Sequence, residues 1–121
     1  MKTQISKQLT LKLVVLFAIA FVLAMPAMAQ TCAPNYCSGT INRLYVPSTT
    51  GSPPTVYVSV GTGSPQCTLL SGVYITLPTG TPGYDQMYSL LLQAKTTNTP
   101  VIVRINNGSN PCTISYVVAG Q

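Results

Sequence analysis

The chain reads as a mainly β domain with one helix, in the order β-β-β-α-β-β, and three observations predict it. Short runs of alternating Val, Ile, Leu and Tyr recur between Gly/Pro-rich turns, the pattern of half-buried strands. Only one segment beyond the N-terminus, residues 84–96 (YDQMYSLLLQAKT), carries apolar residues at helical spacing. Four cysteines follow the apolar N-terminal segment, an even count suited to stapling a small exported domain.

The elements follow in order. Residues 31–39 (TCAPNYCSG) read as a looped lead-in, with Pro34 and Asn35 as turn formers between two cysteines. The first strand is 41–46 (INRLYV), with Leu44 and Val46 on one face and Ile41, Arg43 and Tyr45 on the other. A polar turn, 47–54 (PSTTGSPP), leads to the clearest strand, 55–60, where Val56, Val58 and Val60 alternate with Tyr57 and Ser59. Residues 61–65 form a loop, and 67–70 fit either an edge segment or more of that loop. The third strand is 73–77 (VYITL), with Val73, Ile75 and Leu77 on one face.

Breaker-rich 78–83 (PTGTPG) precedes the helix, on which Met87, Leu90, Leu91 and Ala94 fall on one stripe. Asp85 near its start and Lys95 near its end suit the macrodipole. Asn98 can take the left-handed conformation that ends helices. Leu92 and Tyr88 lie off the stripe and imply either an exposed patch or a helix buried on more than one side. The fourth strand is 100–105, with Val101, Val103 and Ile105 alternating with Ile102, Arg104 and Asn106. Asn-Gly within 106–111 (NNGSNP) marks a hairpin turn, and 113–118 (TISYVV) is the fifth strand. This order is that of an OB-type five-stranded barrel. An α+β sheet with one packed helix is the alternative.

Residues 1–29 are expected to leave as a signal peptide. Lys2, Lys7 and Lys12 precede an apolar run from Leu13 to Ala24, and Ala27 and Ala29 place small residues before Gln30. The run is about 12 residues, against roughly 20 for a membrane span; a retained anchor is the alternative, and no stable membrane insertion of the mature chain is expected. One domain, 30–121, remains, with Arg43, Lys95 and Arg104 against Asp85 alone. That balance lacks the basic footprint of a nucleic-acid binder. Of the three ways to pair Cys32, Cys37, Cys67 and Cys112, Cys32–Cys37 with Cys67–Cys112 is preferred. The spacing matches no common zinc site, and neither a metal nor a cofactor is expected. Location in the periplasm or outside the cell follows from the signal peptide and disulfides.

The stretch 84–105, with its LLQAK helix, polar loop and VIVRI strand, followed by a turn, Cys112 and the last strand, resembles the B subunits of secreted bacterial toxins. The subtilase-cytotoxin and typhoid-toxin type is the nearest. The resemblance implies an OB-fold, assembly into a homo-oligomeric ring, binding of sialylated glycans on host cells, and a partner chain. It assigns no individual sugar-binding residue.

The residues themselves argue against an enzyme. There is no histidine and no glutamate, and the single aspartate cannot form a carboxylate pair; a Ser nucleophile would lack the usual base. Glycan recognition needs aromatic faces, hydroxyls and amides around a few orienting groups. Arg43 with Tyr45 is the preferred anion-plus-aromatic pair, since Arg grips carboxylates bidentately; Arg104 is the other guanidinium available. Tyr57, Tyr74, Asn106 and Asn107 complete the candidate glycan-binding set. The competing reading is an exported structural or protein-interaction domain without a sugar site, in which these tyrosines merely suit a pleated surface and the asparagines a hairpin turn.

Overall fold

A computed structural model describes residues 29–48 and 54–120. The expected signal peptide up to residue 28, and 49–53 of the first turn, lie outside the described residues. Among the described residues, eight strands form two sheets and one helix packs with them: β1 (Thr31–Ala33), β2 (Tyr36–Gly39), β3 (Ile41–Tyr45), β4 (Thr55–Val60), β5 (Thr62–Gly63), β6 (Ile75–Pro78), α1 (Tyr84–Thr97), β7 (Val101–Ile105) and β8 (Ile114–Ala119). The first sheet runs β5-β1-β2-β7-β8 and the second β3-β4-β6. The described residues are therefore mainly β with a single helix, as expected, but their strands divide between two sheets.

The lead-in expected to be a loop is instead a hairpin. Thr31, Cys32 and Ala33 pair with Ser38, Cys37 and Tyr36, so Pro34 and Asn35 make a two-residue turn. Cys32 and Cys37 face each other directly, 4.0 Å apart at Cα, and form a disulfide; that spacing suits the close, non-hydrogen-bonded site of an antiparallel pair. Loop character lost out because Tyr36–Gly39 also finds β7 as a partner, placing Cys37 opposite Val103 in the core. Residues 62–63 likewise join the sheet, parallel to β1. At Gly39 (φ 131°) the chain bends from β2 towards β3, and a Cβ there would lie 2.7 Å from Gln30 Cγ; only glycine fits that close approach.

The face assignment of the first strand also needs correction. Ile41 pairs with Val60, yet Arg43 pairs with Ser59, so Asn42 is an extra residue forming a bulge. The bulge turns Ile41 into the core, away from the face that holds Arg43 and Tyr45, and leaves Val46 exposed. In the third strand, Ser71 and Gly72 both have positive φ and turn the chain between Leu70 and Tyr74. Val73 sits within that turn, 49% exposed, and the strand begins only at Ile75.

The core lies between the sheets: Val56, Val58 and Val60 of β4, Ile75 and Leu77 of β6, Val101, Val103 and Ile105 of β7, Ile41, and Ile114 at the start of β8. Helix α1 packs against β3, β6 and β8 and ends, as expected, with Asn98 in the left-handed region. Leu91 and Ala94 are its buried residues, with Tyr84, Met87 and Tyr88 packed beside them. The core stripe is thus rotated from the expected one. Tyr88 turns inward, Leu90 is only half-buried, and Leu92 stands 48% exposed.

The second expected disulfide, Cys67–Cys112, is also formed. It straps segment 66–70, which belongs to no strand, to the β7–β8 turn, where Thr68 N–H donates to Ser109 O and Cys112 N–H to Thr68 O. Beside it, Thr76 donates from both its backbone N–H and Oγ1 to Cys112 O, each at 2.8 Å. Thr76 also forms a parallel bridge with Thr113. No helix among the described residues is long and apolar enough to cross a membrane.

Candidate functional site

Three tyrosines and one arginine converge on the outer face of the β3-β4-β6 sheet. Tyr45 and Tyr57 are direct cross-strand partners, and their rings meet edge to face at 5.2 Å between centroids and 61°. Tyr74, just before β6, completes the group at 5.4 Å from Tyr45 and 6.2 Å from Tyr57. All three separations lie in the favourable range for aromatic pairs. Alternation along β4 explains the placement: Val56 and Val58 enter the core, so Tyr57 must point out. The bulge at Asn42 then aligns Arg43 and Tyr45 with it.

Arg43 Nη1 donates to Tyr74 Oη at 3.3 Å, which ties the guanidinium to the edge of the aromatic cluster. That hydrogen bond is the main cause raising the Arg43 pKa further above its ordinary value. Tyr45 is raised as well, first by desolvation, then by Tyr74 and Tyr57, with Arg43 opposing weakly. The face therefore stays cationic, with Tyr45 un-ionised, through the neutral pH range. It presents ring faces, phenolic hydroxyls and one charged fork, and Tyr45 is 43% exposed.

The two asparagines have a different setting. Asn106 Nδ2 donates to Thr113 Oγ1 at 3.0 Å, and Ser109 Oγ donates to Asn106 O. Asn106 thus braces its own hairpin, while Asn107 is exposed at the turn. The structure joins Arg43, Tyr45, Tyr57 and Tyr74 in one cluster, and the hydrogen bonds of Asn106 run elsewhere.

All four cysteines are in disulfides, and no three potential metal ligands gather among the described residues. A second feature escaped the reading of the sequence: a concavity of about 500 Å³ on the outer face of the other sheet, around Tyr36, Arg104 and Tyr116. It depends on β2 lying beside β7, in a segment expected to be a loop. The one available signal was the alternation of Tyr36 and Ser38 about Cys37. No protein-family model, curated protein or solved structure matches the chain.

Proposed function

We propose that the chain is an exported, non-enzymatic glycan-binding module of the toxin B-subunit kind, working in the periplasm or outside the cell. One observation carries the reading: a surface cluster of exposed Tyr45 and half-buried Tyr57 and Tyr74, with Arg43 hydrogen-bonded to Tyr74. Aromatic rings at a surface can take the C–H face of a sugar, and a pre-positioned guanidinium binds the carboxylate of an acidic one. A shallow single site of this type binds weakly, and a ring of copies supplies affinity through effective concentration.

The strand pairings support an OB-type barrel, partly open, as the scaffold. β2 and β3 are separated only by Thr40 and serve as one bent strand, pairing with β7 in one sheet and β4 in the other. β4 pairs with β6, and the Thr76–Thr113 bridge sets β6 alongside the start of β8. β8 returns to β7. Each main strand thereby has two neighbours, with the helix between the third and fourth strands, as in that fold. The cluster takes Arg43 and Tyr45 from the first barrel strand, Tyr57 from the second and Tyr74 from the approach to the third, next to the strand 2–3 face that such barrels use for oligosaccharides.

An exported interaction module without a sugar site is the second reading, and exposed Leu92 on α1 favours it as a subunit or partner contact. A glycan array probed with exported protein separates the two. Saturable binding to terminal acidic sugars is expected, weakened about tenfold by Arg43→Ala or Tyr57→Ala. A blank array from folded, oxidised protein would leave the interaction reading.

A further inference from the structure

The geometry points to a second ligand site, on the outer face of the β2-β7-β8 sheet, that takes a small amphipathic carboxylate through Arg104. Strand register builds it. Arg104 pairs with Tyr36 on one side and Tyr116 on the other, so the three side chains form one cross-sheet row. The next row on the same face is Ser38, Ile102 and Val118. The intervening Cys37 and Val103 are buried on the opposite face.

All six stay in the exported chain and line a concavity of about 500 Å³, one wall of which also includes Ala29 at the end of the expected signal peptide; small-molecule sites typically span roughly 300–1,000 Å³. No acidic side chain lines it. The chain's single carboxylate side chain, Asp85, lies in the first turn of α1. A half-buried guanidinium between two tyrosines, without a carboxylate in its pocket, fits an incoming carboxylate held bidentately.

The second row decides the rest of the ligand. Adjacent rows on one face are about 7 Å apart, and the row beyond Arg104 is apolar apart from Ser38. The ligand body is therefore an alkyl or aryl group lying over Ile102 and Val118, not a polyhydroxylated ring. This separates the site from the Arg43 cluster, where the guanidinium already has Tyr74 as a partner. It stands independently of the glycan reading.

The test is an NMR titration of the exported, oxidised protein with octanoate and 4-phenylbutyrate, using octanamide as the neutral control. Saturable shifts are expected at the amides of Tyr36, Ile102, Arg104, Tyr116 and Val118, with Kd on the order of 1 mM. Octanamide should bind about tenfold more weakly, as should octanoate to Arg104→Gln. Arg104→Lys should recover part of the affinity. Equal binding of acid and amide overturns the proposal. So do unaltered binding by a folded Arg104→Gln and shifts confined to Tyr45, Tyr57 and Tyr74.

Discussion

Tyr45 shows how one side chain couples the candidate site to stability. Packing against two other rings desolvates it and raises its pKa, so the folded state holds the phenolic proton more tightly than the unfolded chain. The stabilisation is complete below the ordinary tyrosine value of about 10 and is lost as pH rises through the higher folded value. Urea midpoints are expected to stay level from pH 7 to about 9 and to fall above about 10. In Tyr45→Phe the alkaline fall should be shallower. Superimposable profiles for the two proteins would show that Tyr45 carries none of it.

At the scale of elements, the contact between α1 and β3 matters most, because it sets which β3 side chains reach the site. The bulge at Asn42 interrupts the ladder and needs partners for its carbonyls. Lys95 Nζ supplies them, donating to Ile41 O at 2.9 Å and Asn42 O at 3.0 Å. The last-turn lysine that suits the helix dipole is therefore also the clamp on the bulge. Lys95→Met keeps the aliphatic stem and removes both donors. It should cost about 1–2 kcal/mol, discounted from the usual value of charged hydrogen bonds because the side chain is exposed. The check is the urea midpoint, together with the Tyr45 and Tyr57 ring resonances, which should shift if the bulge relaxes. A variant of unchanged midpoint and unchanged ring shifts would assign the bulge to β-strand pairing alone.

For the whole molecule, the two disulfides act on very different lengths of chain. Cys32–Cys37 spans a separation of 5 residues inside one hairpin, whereas Cys67–Cys112 spans 45 and includes α1. Chain entropy alone makes the short bridge worth about 2 kcal/mol and the long one about 4. Replacing Cys67 and Cys112 together by alanine should lower Tm more than replacing Cys32 and Cys37, measured by calorimetry in the absence of reductant. The reverse order would mean that the β1–β2 hairpin, and not the strap across β6 and β8, limits stability. The long bridge also sits beside the Thr76–Cys112 hydrogen bonds, at the contact between the two sheets.

Several features were legible in the residues because they are local. Alternation assigned the inward residues of β4 and separated the two faces of β7, Asn98 ended the helix, and Asn-Gly placed the hairpin before β8. Both disulfides followed the preferred pairing. The clustering of Arg43 with Tyr45 and Tyr57 needed only strand faces, although Tyr74 joins from a turn and Asn106 serves its own hairpin. What local pattern could not carry depends on partners far along the chain. β2 is a strand because β7 lies beside it, the helix stripe rotates to bring Tyr88 against the core, and Ile41 turns inward through a bulge held by Lys95. Short-range propensity is worth only tenths of a kcal/mol per residue, and core burial with long-range hydrogen bonds outweighs it. The residue types determined a disulfide-stapled β domain with one helix. Tertiary pairing alone decided that its strands form two sheets, and that Tyr36, Arg104 and Tyr116 stand in one row.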